Sequence, residues 1–425
     1  MNILMLKEKI QNGEYDSLIK DIYVDDELLS YQRERYIEAL EQYEKYFGKA
    51  DVNIFSAAGR SEVCGNHTDH QHGSVLATSV NLDVIAVATA NNSNTVSLIS
   101  KGYRMETVDL SDLSVNKKEY GTTAAIIKGV AKGLSDCGYK IGGFNAYTTS
   151  DVIVGAGLSS SAAFEDVVGV IISGLFNNME IDAVTIAKIS QFAENVYFGK
   201  PCGLMDQTAC AVGGMINIDF EDPTKPIVKK IDVEFEKYNY SLCIIDTKGS
   251  HADLTDDYAQ ILSEMKGVAN YFGKDYLREC SEEEFYKNYA KIREKAGDRA
   301  MLRAAHFFNE QKNVENGVTA LRNGDFEGFL NVIKRSGNSS FKYLQNVYTV
   351  RKPHQQSVSI ALSLSEQILG ENGVSRVHGG GFAGTIQAFV KNDFVKEYKE
   401  FIESVFGNGS CHVLKIRPYG AIKVI

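Results

Sequence analysis

The segment Val154-Gly-Ala-Gly-Leu-Ser-Ser-Ser-Ala-Ala163 follows an apolar β-like run and opens a helix. Between Ala163 and Phe176, apolar residues recur as adjacent pairs every four residues, which predicts a helix with a broad buried face. The two glycines of the segment let the backbone approach a ligand, and its serines supply hydroxyls and the free N–H groups of a helix start. This combination favours a phosphate-binding loop. A strand-to-helix turn with a serine N-cap is the alternative.

Two other loops are also rich in glycine. Ala58-Gly-Arg-Ser-Glu-Val-Cys-Gly-Asn-His-Thr-Asp-His-Gln-His-Gly73 carries many hydrogen-bonding side chains between apolar strands, which suits a polyhydroxylated substrate such as a sugar. A metal site is the alternative for this loop, because its histidines and aspartate could present nitrogen and oxygen ligands. Arg376-Val-His-Gly-Gly-Gly-Phe-Ala-Gly-Thr385 has three consecutive glycines, which can approach a phosphate or another backbone closely, or form a β-bulge or a tight hairpin.

The order of predicted elements divides the chain into two lobes. The N-terminal residues up to Gly48 predict helix, with the glycine at the C-cap. Asp219–Pro226 contains two of the five prolines and marks a predicted boundary between a lobe of residues 1–220 and a lobe of residues 221–425. Strands and helices are mixed without a regular βαβα rhythm, which predicts α+β architecture. The predicted strands are 52–56, 84–90, 95–100, 105–110, 143–149, 227–233, 241–246, 385–390 and 413–417, and the predicted helices include 163–176 and 183–198.

The composition excludes several classes of protein. The chain has 425 residues and a net charge of -10, so it is a poor nucleic-acid binder, because phosphate contacts dominate that affinity. The longest apolar stretch, Val167 to Phe176, is too short to cross a membrane, and the N-terminus does not resemble a signal peptide. None of the seven cysteines forms a CxxC pair, which indicates reduced thiols in a cytoplasmic protein.

Two further segments join the three loops in a resemblance to a known family: Pro201-Cys-Gly-Leu-Met-Asp-Gln207 and Ser250-His-Ala-Asp-Leu-Thr-Asp-Asp-Tyr258. In this order, the five segments resemble the sugar and metabolite kinases of the GHMP superfamily, and the galactokinases most closely. The resemblance implies a two-lobed GHMP kinase fold, with an N-terminal ribosomal-protein-S5-like lobe, a C-terminal ferredoxin-like α+β lobe and the active site between them. It further implies an ATP-dependent sugar 1-kinase that uses Mg²⁺. The expected partners are a small-molecule sugar and ATP, with no nucleic acid and no membrane, in a monomer or weak homo-oligomer.

The resemblance also implies roles for individual residues. Asp206 is the expected catalytic base toward the sugar C1 hydroxyl, and Arg60 is expected to interact with Asp206 and with the transferring phosphoryl group. Ser161 and Glu194 match the Mg²⁺ ligands. The remaining positions are a phosphate loop (Gly155, Gly157, Ser159, Ser160 and Ser161) and a set of sugar contacts (Asn66, His67, Asp69, Gly203 and Tyr258).

The residues by themselves leave other interpretations open for three of these positions. Asp206 could cap a helix over residues 207–212, which would not exclude catalysis. Glu194 could lie on a solvated helix face, and without the resemblance that interpretation is favoured. Tyr258 could equally be a core aromatic, because apolar residues continue its helical stripe.

Four positions depart from the galactokinase pattern. Asn66 stands where a glutamate is usual, Glu62 where an asparagine is usual, His70 where a tyrosine is usual, and His378 where a small residue is usual. A neutral Asn66 would tolerate a sugar carboxylate that a glutamate repels, which keeps galactose possible and opens galacturonate or arabinose as substrates. Glu62 would restore the missing charge if its side chain points inward. The third possibility, a non-catalytic sugar and ATP sensor, would show damage to the phosphate loop or the catalytic pair, and the sequence has neither.

Overall fold

The computed structural model describes residues 1–250 and 254–425 and consists of two β-sheets flanked by helices. This confirms the predicted α+β class. The helices of the described chain are α1 (Ile3–Gln11), α2 (Asp16–Tyr23), α3 (Leu29–Phe47), α4 (Thr123–Asp136), α5 (Ser160–Phe176), α6 (Ala183–Phe192), α7 (Met205–Val212), α8 (Thr255–Tyr271), α9 (Glu282–Lys287), α10 (Tyr289–Ala296), α11 (Asp298–Arg322), α12 (Phe326–Ser339), α13 (Ser357–Leu369) and α14 (Val395–Phe406).

The strands form a larger and a smaller sheet. They are β1 (Asn53–Cys64), β2 (Ser74–Ala90), β3 (Thr95–Ser100), β4 (Met105–Asp109), β5 (Phe144–Ser150), β6 (Met215–Asp219), β7 (Ile227–Ile231), β8 (Tyr240–Asp246), β9 (Gly373–Val377), β10 (Thr385–Lys391), β11 (Cys411–Leu414) and β12 (Ile422–Lys423). The larger sheet has the order β12-β1-β2-β5-β3-β4, and β6 pairs with both β2 and β7. The smaller sheet has the order β11-β8-β10-β9 and is antiparallel throughout.

The strand predictions were correct in place but differ in length from the observed strands: β4 and β7 end one and two residues earlier than predicted. β3 has the predicted bounds, whereas β1 and β2 run to 12 and 17 residues because β1 continues into the polar loop and β2 begins directly after it. Predicted helix 183–198 is α6 followed by a π-helical turn over Ala193–Phe198. The N-terminal helical prediction corresponds to α1, α2 and α3, and Gly48 is the C-cap of α3 with φ +79°.

The larger sheet draws strands from both sides of the predicted lobe boundary. β7 pairs with β6, and β12 pairs with β1 at the far end of the chain. The division at residue 220 stays a prediction, and the C-terminal residues return to the first sheet whichever boundary is chosen. None of the described helices is long and apolar enough to span a bilayer.

The N-terminal helices cover one face of the larger sheet around a buried carboxylate, Asp83. Tyr23, Tyr36, Leu40 and Tyr43, all buried, belong to the apolar cluster between these helices and β1, β2 and β5. Asp83 has no exposed surface and accepts hydrogen bonds from four side chains: Arg35 Nη1 (2.6 Å), Arg417 Nη1 (2.8 Å), Tyr23 Oη (2.8 Å) and Ser56 Oγ.

Candidate active site

The predicted catalytic pair, Arg60 and Asp206, forms a two-point ion pair between β1 and the first turn of α7. Arg60 Nε donates to Asp206 Oδ1 (2.8 Å), and Arg60 Nη2 donates to Asp206 Oδ2 (2.6 Å). Two parallel hydrogen bonds of this kind fix the orientation of the guanidinium and carboxylate planes as well as the distance between the two charges. The side chain of Arg60 is 9% exposed, whereas that of Asp206 is 33% exposed. The arrangement therefore leaves part of the carboxylate open to a ligand.

Asp206 is held as an anion. Burial by itself would raise the pKa of its carboxyl, but the charge and hydrogen bonds of Arg60, with the Ser159 hydroxyl, outweigh burial and lower it. The N-cap of α7 is Leu204, and the Asp206 carboxylate bonds Arg60 and Ser159. Asp206 is therefore not the cap of this helix.

The phosphate loop has the backbone that its glycines require. Gly155, Gly157 and Ser159 all have positive φ values, of +83°, +69° and +58°. A Cβ on Gly157 would lie 3.1 Å from Nδ1 of His378, so the second and third glycine loops meet at this residue. Ser159 is the N-cap of α5 but caps no helix amide; its hydroxyl donates to Asp206 Oδ2 (2.7 Å). The loop is thus joined directly to the catalytic pair, and the amides at the start of α5 have no side-chain cap from Ser159.

A cavity of about 270 Å³ opens on the other side of Asp206. Its wall combines the first glycine loop, residues 201–206, and Gly379 and Gly380 of the third loop. Four of the five predicted sugar contacts line it (Asn66, His67, Asp69 and Gly203). The Asp69 carboxylate lies against Gly203, where a Cβ would come within 2.8 Å of Oδ2. These placements bring four of the predicted sugar contacts together around Asp206, the predicted catalytic base.

His67 is a neutral imidazole in this wall. Burial, and then the neighbouring His70, lower the pKa of His67 to about 4. Its Nε2 lies 2.9 Å from the carbonyl oxygen of Gly380, which can only accept. A neutral ring with a donating Nε2 has Nδ1 as an acceptor, so His67 can accept a hydrogen bond from a hydroxyl.

Tyr258 does not line the cavity. Its hydroxyl donates to the carbonyl of Gly381 (2.8 Å), and its ring packs edge-to-face on Phe382 at a centroid distance of 5.3 Å. It supports the third glycine loop from behind, and its predicted contact with the sugar stays a prediction. Residues 251–253 of the same motif lie outside the described residues.

A second and larger cleft, of about 770 Å³, begins at the phosphate loop. Ser160, Ser161, Glu165 and Glu194 line one end of it, and the rest is largely apolar (Leu98, Ile126, Val152, Phe164 and Phe198 among others). Glu194 is only 3% exposed and is bonded to Lys200 Nζ (2.9 Å) and Gln207 Nε2 (2.9 Å). The solvated-face interpretation of Glu194 is therefore wrong, because the π-helical turn directs this side chain inward.

Comparison with known proteins agrees with this geometry. A profile of the GHMP kinases N terminal domain matches residues 125–214, which contain the phosphate loop, Glu194 and Asp206. Residues 125–214 of the chain are therefore similar to the N-terminal domain of the GHMP kinases. A profile of the galactokinase galactose-binding signature matches residues 41–90, which contain the whole first glycine loop and Arg60. With these two matches and its galactokinase relatives, the chain is a sugar kinase, a phosphotransferase that uses ATP.

Several relatives of this chain are galactokinases. That of Glaesserella parasuis serovar 5 (strain SH0165) is 29% identical over 85% of this chain and 91% of its own length, and that of Clostridium tetani (strain Massachusetts / E88) is 28% identical over 86% and 91%. In fold, the chain is similar to Lactococcus lactis galactokinase complexed with galactose, with a TM-score of 0.77, 23% identity and coverage of 91% of this chain and 100% of that one. It is also similar to a mevalonate kinase, with a TM-score of 0.60, 15% identity and coverage of 86% and 99%.

Sequence reasoning missed one acidic side chain of the larger cleft, Glu165. It shares the Gln207 amide with Glu194 (3.1 Å and 2.9 Å), and its Oε1 is buried without a hydrogen-bond partner among the described residues. Burial, and then the charge of Glu194, raise the pKa of Glu165 to about 9. The signal was present, because Glu165 interrupts the apolar face of α5 and charged residues are rarely buried without a partner.

Proposed function

We propose that the protein is a galactokinase, which transfers the γ-phosphoryl group of ATP to the C1 hydroxyl of galactose and releases galactose 1-phosphate and ADP. The observation that carries the proposal is the position of Asp206. Its carboxylate is bonded on one side to Ser159 of the phosphate loop and opens on the other into the cavity lined by the galactose-binding signature. A phosphoryl donor and a sugar acceptor can therefore meet at one ionised carboxylate.

The proposed reaction uses the two members of the ion pair differently. Asp206 accepts the proton of the C1 hydroxyl as that oxygen forms its bond to the γ-phosphorus. The bond from the γ-phosphorus to the bridging oxygen breaks, and ADP leaves with that oxygen. Arg60 keeps Asp206 ionised. Its Nη1 also donates to the carbonyl of Gly157 in the phosphate loop, so the guanidinium lies beside that loop, where its charge offsets negative charge on the transferring group. Such positioning is the main requirement of a loose phosphoryl-transfer transition state.

The residues at the start of α5 fit Mg²⁺. The Ser161 hydroxyl and the Glu194 carboxylate are hard oxygen donors that line the same cleft, and the unpartnered Oε1 of Glu165 adds a third oxygen close to Glu194. Mg²⁺ prefers oxygen ligands and takes only a few of them from protein, so a hydroxyl and one or two carboxylates are a suitable set. When bound, Mg²⁺ would neutralise charge on the phosphates. Lys200 donates to Oε1 of Glu194 and would help to hold that side chain in place.

The remaining roles belong to the same proposal. His67 and Asp69 offer an acceptor and a carboxylate to sugar hydroxyls, Gly203 leaves room beside Asp69, and Asn66 and Tyr258 hold the loops around them. We also propose that the protein works in the cytoplasm as a monomer or weak homo-oligomer, on a sugar and ATP, without nucleic acid or membrane.

A substrate panel tests this function. Purified protein with ATP and Mg²⁺ is assayed for ADP release with galactose, galacturonate, arabinose, glucose and N-acetylgalactosamine, and the product is identified by phosphorus NMR. We expect the highest kcat/KM with galactose and phosphate on C1. Galactose-independent ADP release, or binding of both ligands without turnover, would contradict the proposal, and the second result would indicate a sensor.

A further inference from the structure

Glu62 is a second carboxylate in the wall of the sugar cavity. It lies two residues after Arg60 on β1, so the two side chains project from the same face of the strand. Ser61 between them projects the other way, where its hydroxyl contacts His378 Nε2 (3.0 Å) and accepts from Gln387 Nε2 (2.7 Å). Strand alternation therefore places a charge-bearing group beside Arg60, and it is only 4% exposed.

Asn66, which faces the same cavity, has no hydrogen-bonding capacity left for a sugar. Its Nδ2 donates to Glu62 Oε2 (3.0 Å) and to the carbonyl of Gly379 (2.7 Å). Its Oδ1 accepts from Ser340 Oγ (3.3 Å) and Asn346 Nδ2 (2.8 Å). An amide has two hydrogens and two lone pairs, so all four are used. Asn66 acts as a brace that orients Glu62.

One oxygen of the Glu62 carboxyl is left over. Oε2 accepts from Asn66, whereas Oε1 has no hydrogen bond to any residue in 1–250 or 254–425. The carboxyl also has no ion pair in those ranges. Arg376, whose charge acts on Glu62, donates through Nη1 to the carbonyl of Val63 (2.6 Å). Burial, opposed mainly by that charge, raises the pKa of Glu62 to about 7. A poorly solvated carboxyl with an unused acceptor at a cavity wall can accept a hydrogen bond from a ligand in that cavity.

We propose that Glu62 determines sugar specificity: its free carboxylate oxygen accepts a hydrogen bond from a neutral hydroxyl of the sugar and excludes sugars that carry a carboxylate there. This inference rests on the proposed sugar-kinase function. A hydroxyl that donates to a carboxylate forms a strong, charge-assisted bond. A second carboxylate at the same place would meet like charge in a poorly solvated site. Asn66 alone leaves open whether a neutral sugar or a uronate is preferred. Glu62, four residues earlier in the chain, supplies the negative charge that favours the neutral sugar.

Two variants of Glu62 separate the effect of its negative charge from the effect of its side-chain length. The kcat/KM values for galactose and galacturonate are measured at pH 8, where the carboxyl is ionised, for the unaltered protein, Glu62→Gln and Glu62→Asp. We expect the unaltered protein to favour galactose by about 10²-fold or more. Glu62→Gln should raise the KM for galactose and narrow the galactose-to-galacturonate ratio by about tenfold or more. Glu62→Asp should also raise the KM but keep galacturonate excluded, because the charge remains.

The matched control is Glu310→Gln. Glu310 is buried beneath the same loop, where it accepts from Gly65 N (3.1 Å) and Ser336 Oγ (2.8 Å), but it does not line the cavity. Its loss should lower the melting temperature and leave the sugar ratio unchanged. A ratio unchanged in Glu62→Gln, or efficient use of galacturonate by the unaltered protein, would overturn the proposal.

Failure of the proposed function would look different. If the unaltered protein turns over no sugar, the galactokinase proposal fails, whereas the role of Glu62 is still decided by titration calorimetry of galactose and galacturonate with the same variants. A binding preference for galactose that narrows in Glu62→Gln supports Glu62, and an unchanged preference contradicts it.

Discussion

Two aspartates that are paired with arginine, Asp83 and Asp206, differ in how completely they are bonded. Asp83 accepts from Arg35, Arg417, Tyr23 and Ser56 and has no exposed surface. Among the described residues, Asp206 accepts from Arg60 and Ser159 only; a third of its side chain is exposed, and it lines a cavity. In both, burial opposes ionisation and the arginine charge lowers the carboxyl pKa.

The comparison shows that Asp206 keeps both bonding capacity and exposed side-chain surface, which a proton acceptor needs, whereas Asp83 has neither. The bonds to Asp83 join N-terminal helices, two strands and the C-terminal segment, so removing it leaves two buried arginines without a counter-ion. The bonds to Asp206 orient it and leave room for a proton donor from the substrate. Single substitutions at Asp206, Asp83 and Arg60 can therefore separate the effects of proton acceptance, buried charge and hydrogen-bond geometry.

The largest effect is expected from Asp206→Asn. The amide can still contact Arg60 and Ser159 but cannot take a proton, so kcat with galactose should fall by about 10²–10⁴-fold. The free energy of unfolding should change by only about 1–2 kcal/mol. ADP release and chemical denaturation measure the two quantities. A loss of unfolding free energy as large as that expected for Asp83→Asn would show that Asp206 is a structural residue like Asp83.

Asp83→Asn should show the opposite pattern. Removing one partner from a buried ion-pair network costs about 3–5 kcal/mol of unfolding free energy. The site lies on the helix-covered face of the larger sheet, so kcat measured well below the melting temperature should stay close to that of the unaltered protein. Urea denaturation and the same ADP assay check this. Inactivity of a fully folded Asp83→Asn protein would contradict it.

Arg60→Lys tests whether catalysis needs the paired hydrogen bonds of the guanidinium or only its positive charge. Lysine keeps the positive charge but cannot bond both carboxylate oxygens and the Gly157 carbonyl at once. We expect kcat to fall by about 10²-fold, comparable to the loss of one preorganised donor, with a smaller change in the KM for galactose. Steady-state kinetics with both substrates measure it, and a lysine variant as active as the unaltered protein would show that charge is sufficient.

The smallest effect is a difference in acid stability. The pKa of Asp83 is lowered in the folded protein, so its ionised form stabilises the fold above the usual aspartate pKa, and that contribution is lost as the pH falls toward the folded-state pKa. The stability gap between the unaltered protein and Asp83→Asn should therefore narrow in acid. The corresponding gap for Asp206→Asn should narrow less, because fewer groups hold that carboxylate. Denaturation curves at several acidic pH values test the order.

The sequence predicted the site better than the surrounding structure because the site is built from local motifs. Arg60, Ser159 and Asp206 each lie in a short segment whose glycines and polar residues mark a ligand loop, and the structure brings those segments together. Glu194 required the resemblance, since no periodicity reveals a π-helical turn. Glu165 was missed although its place in an apolar helix was visible.

The Asp83 network could not be predicted from the chain order. Its donors lie at residues 23, 35, 56 and 417, and they meet only because the C-terminal segment returns to the larger sheet. The sequence could not show whether the side chain of Glu62 points inward. In the structure it does, because strand alternation directs it to the cavity and the Asn66 amide, whose hydrogen-bonding capacity is fully used, holds it there. Long-range contacts of this kind carry no local pattern.

The central claim, that the incompletely bonded Asp206 performs the chemistry while the saturated Asp83 does not, is tested most directly by separating binding from turnover. Titration calorimetry gives the galactose Kd of Asp206→Asn, and a single-turnover experiment with excess enzyme gives its rate of phosphoryl transfer. We predict a Kd close to that of the unaltered protein, together with phosphoryl transfer slowed by about 10²–10⁴-fold. Unimpaired transfer in this variant, or slow transfer explained entirely by lost galactose binding, would contradict the account.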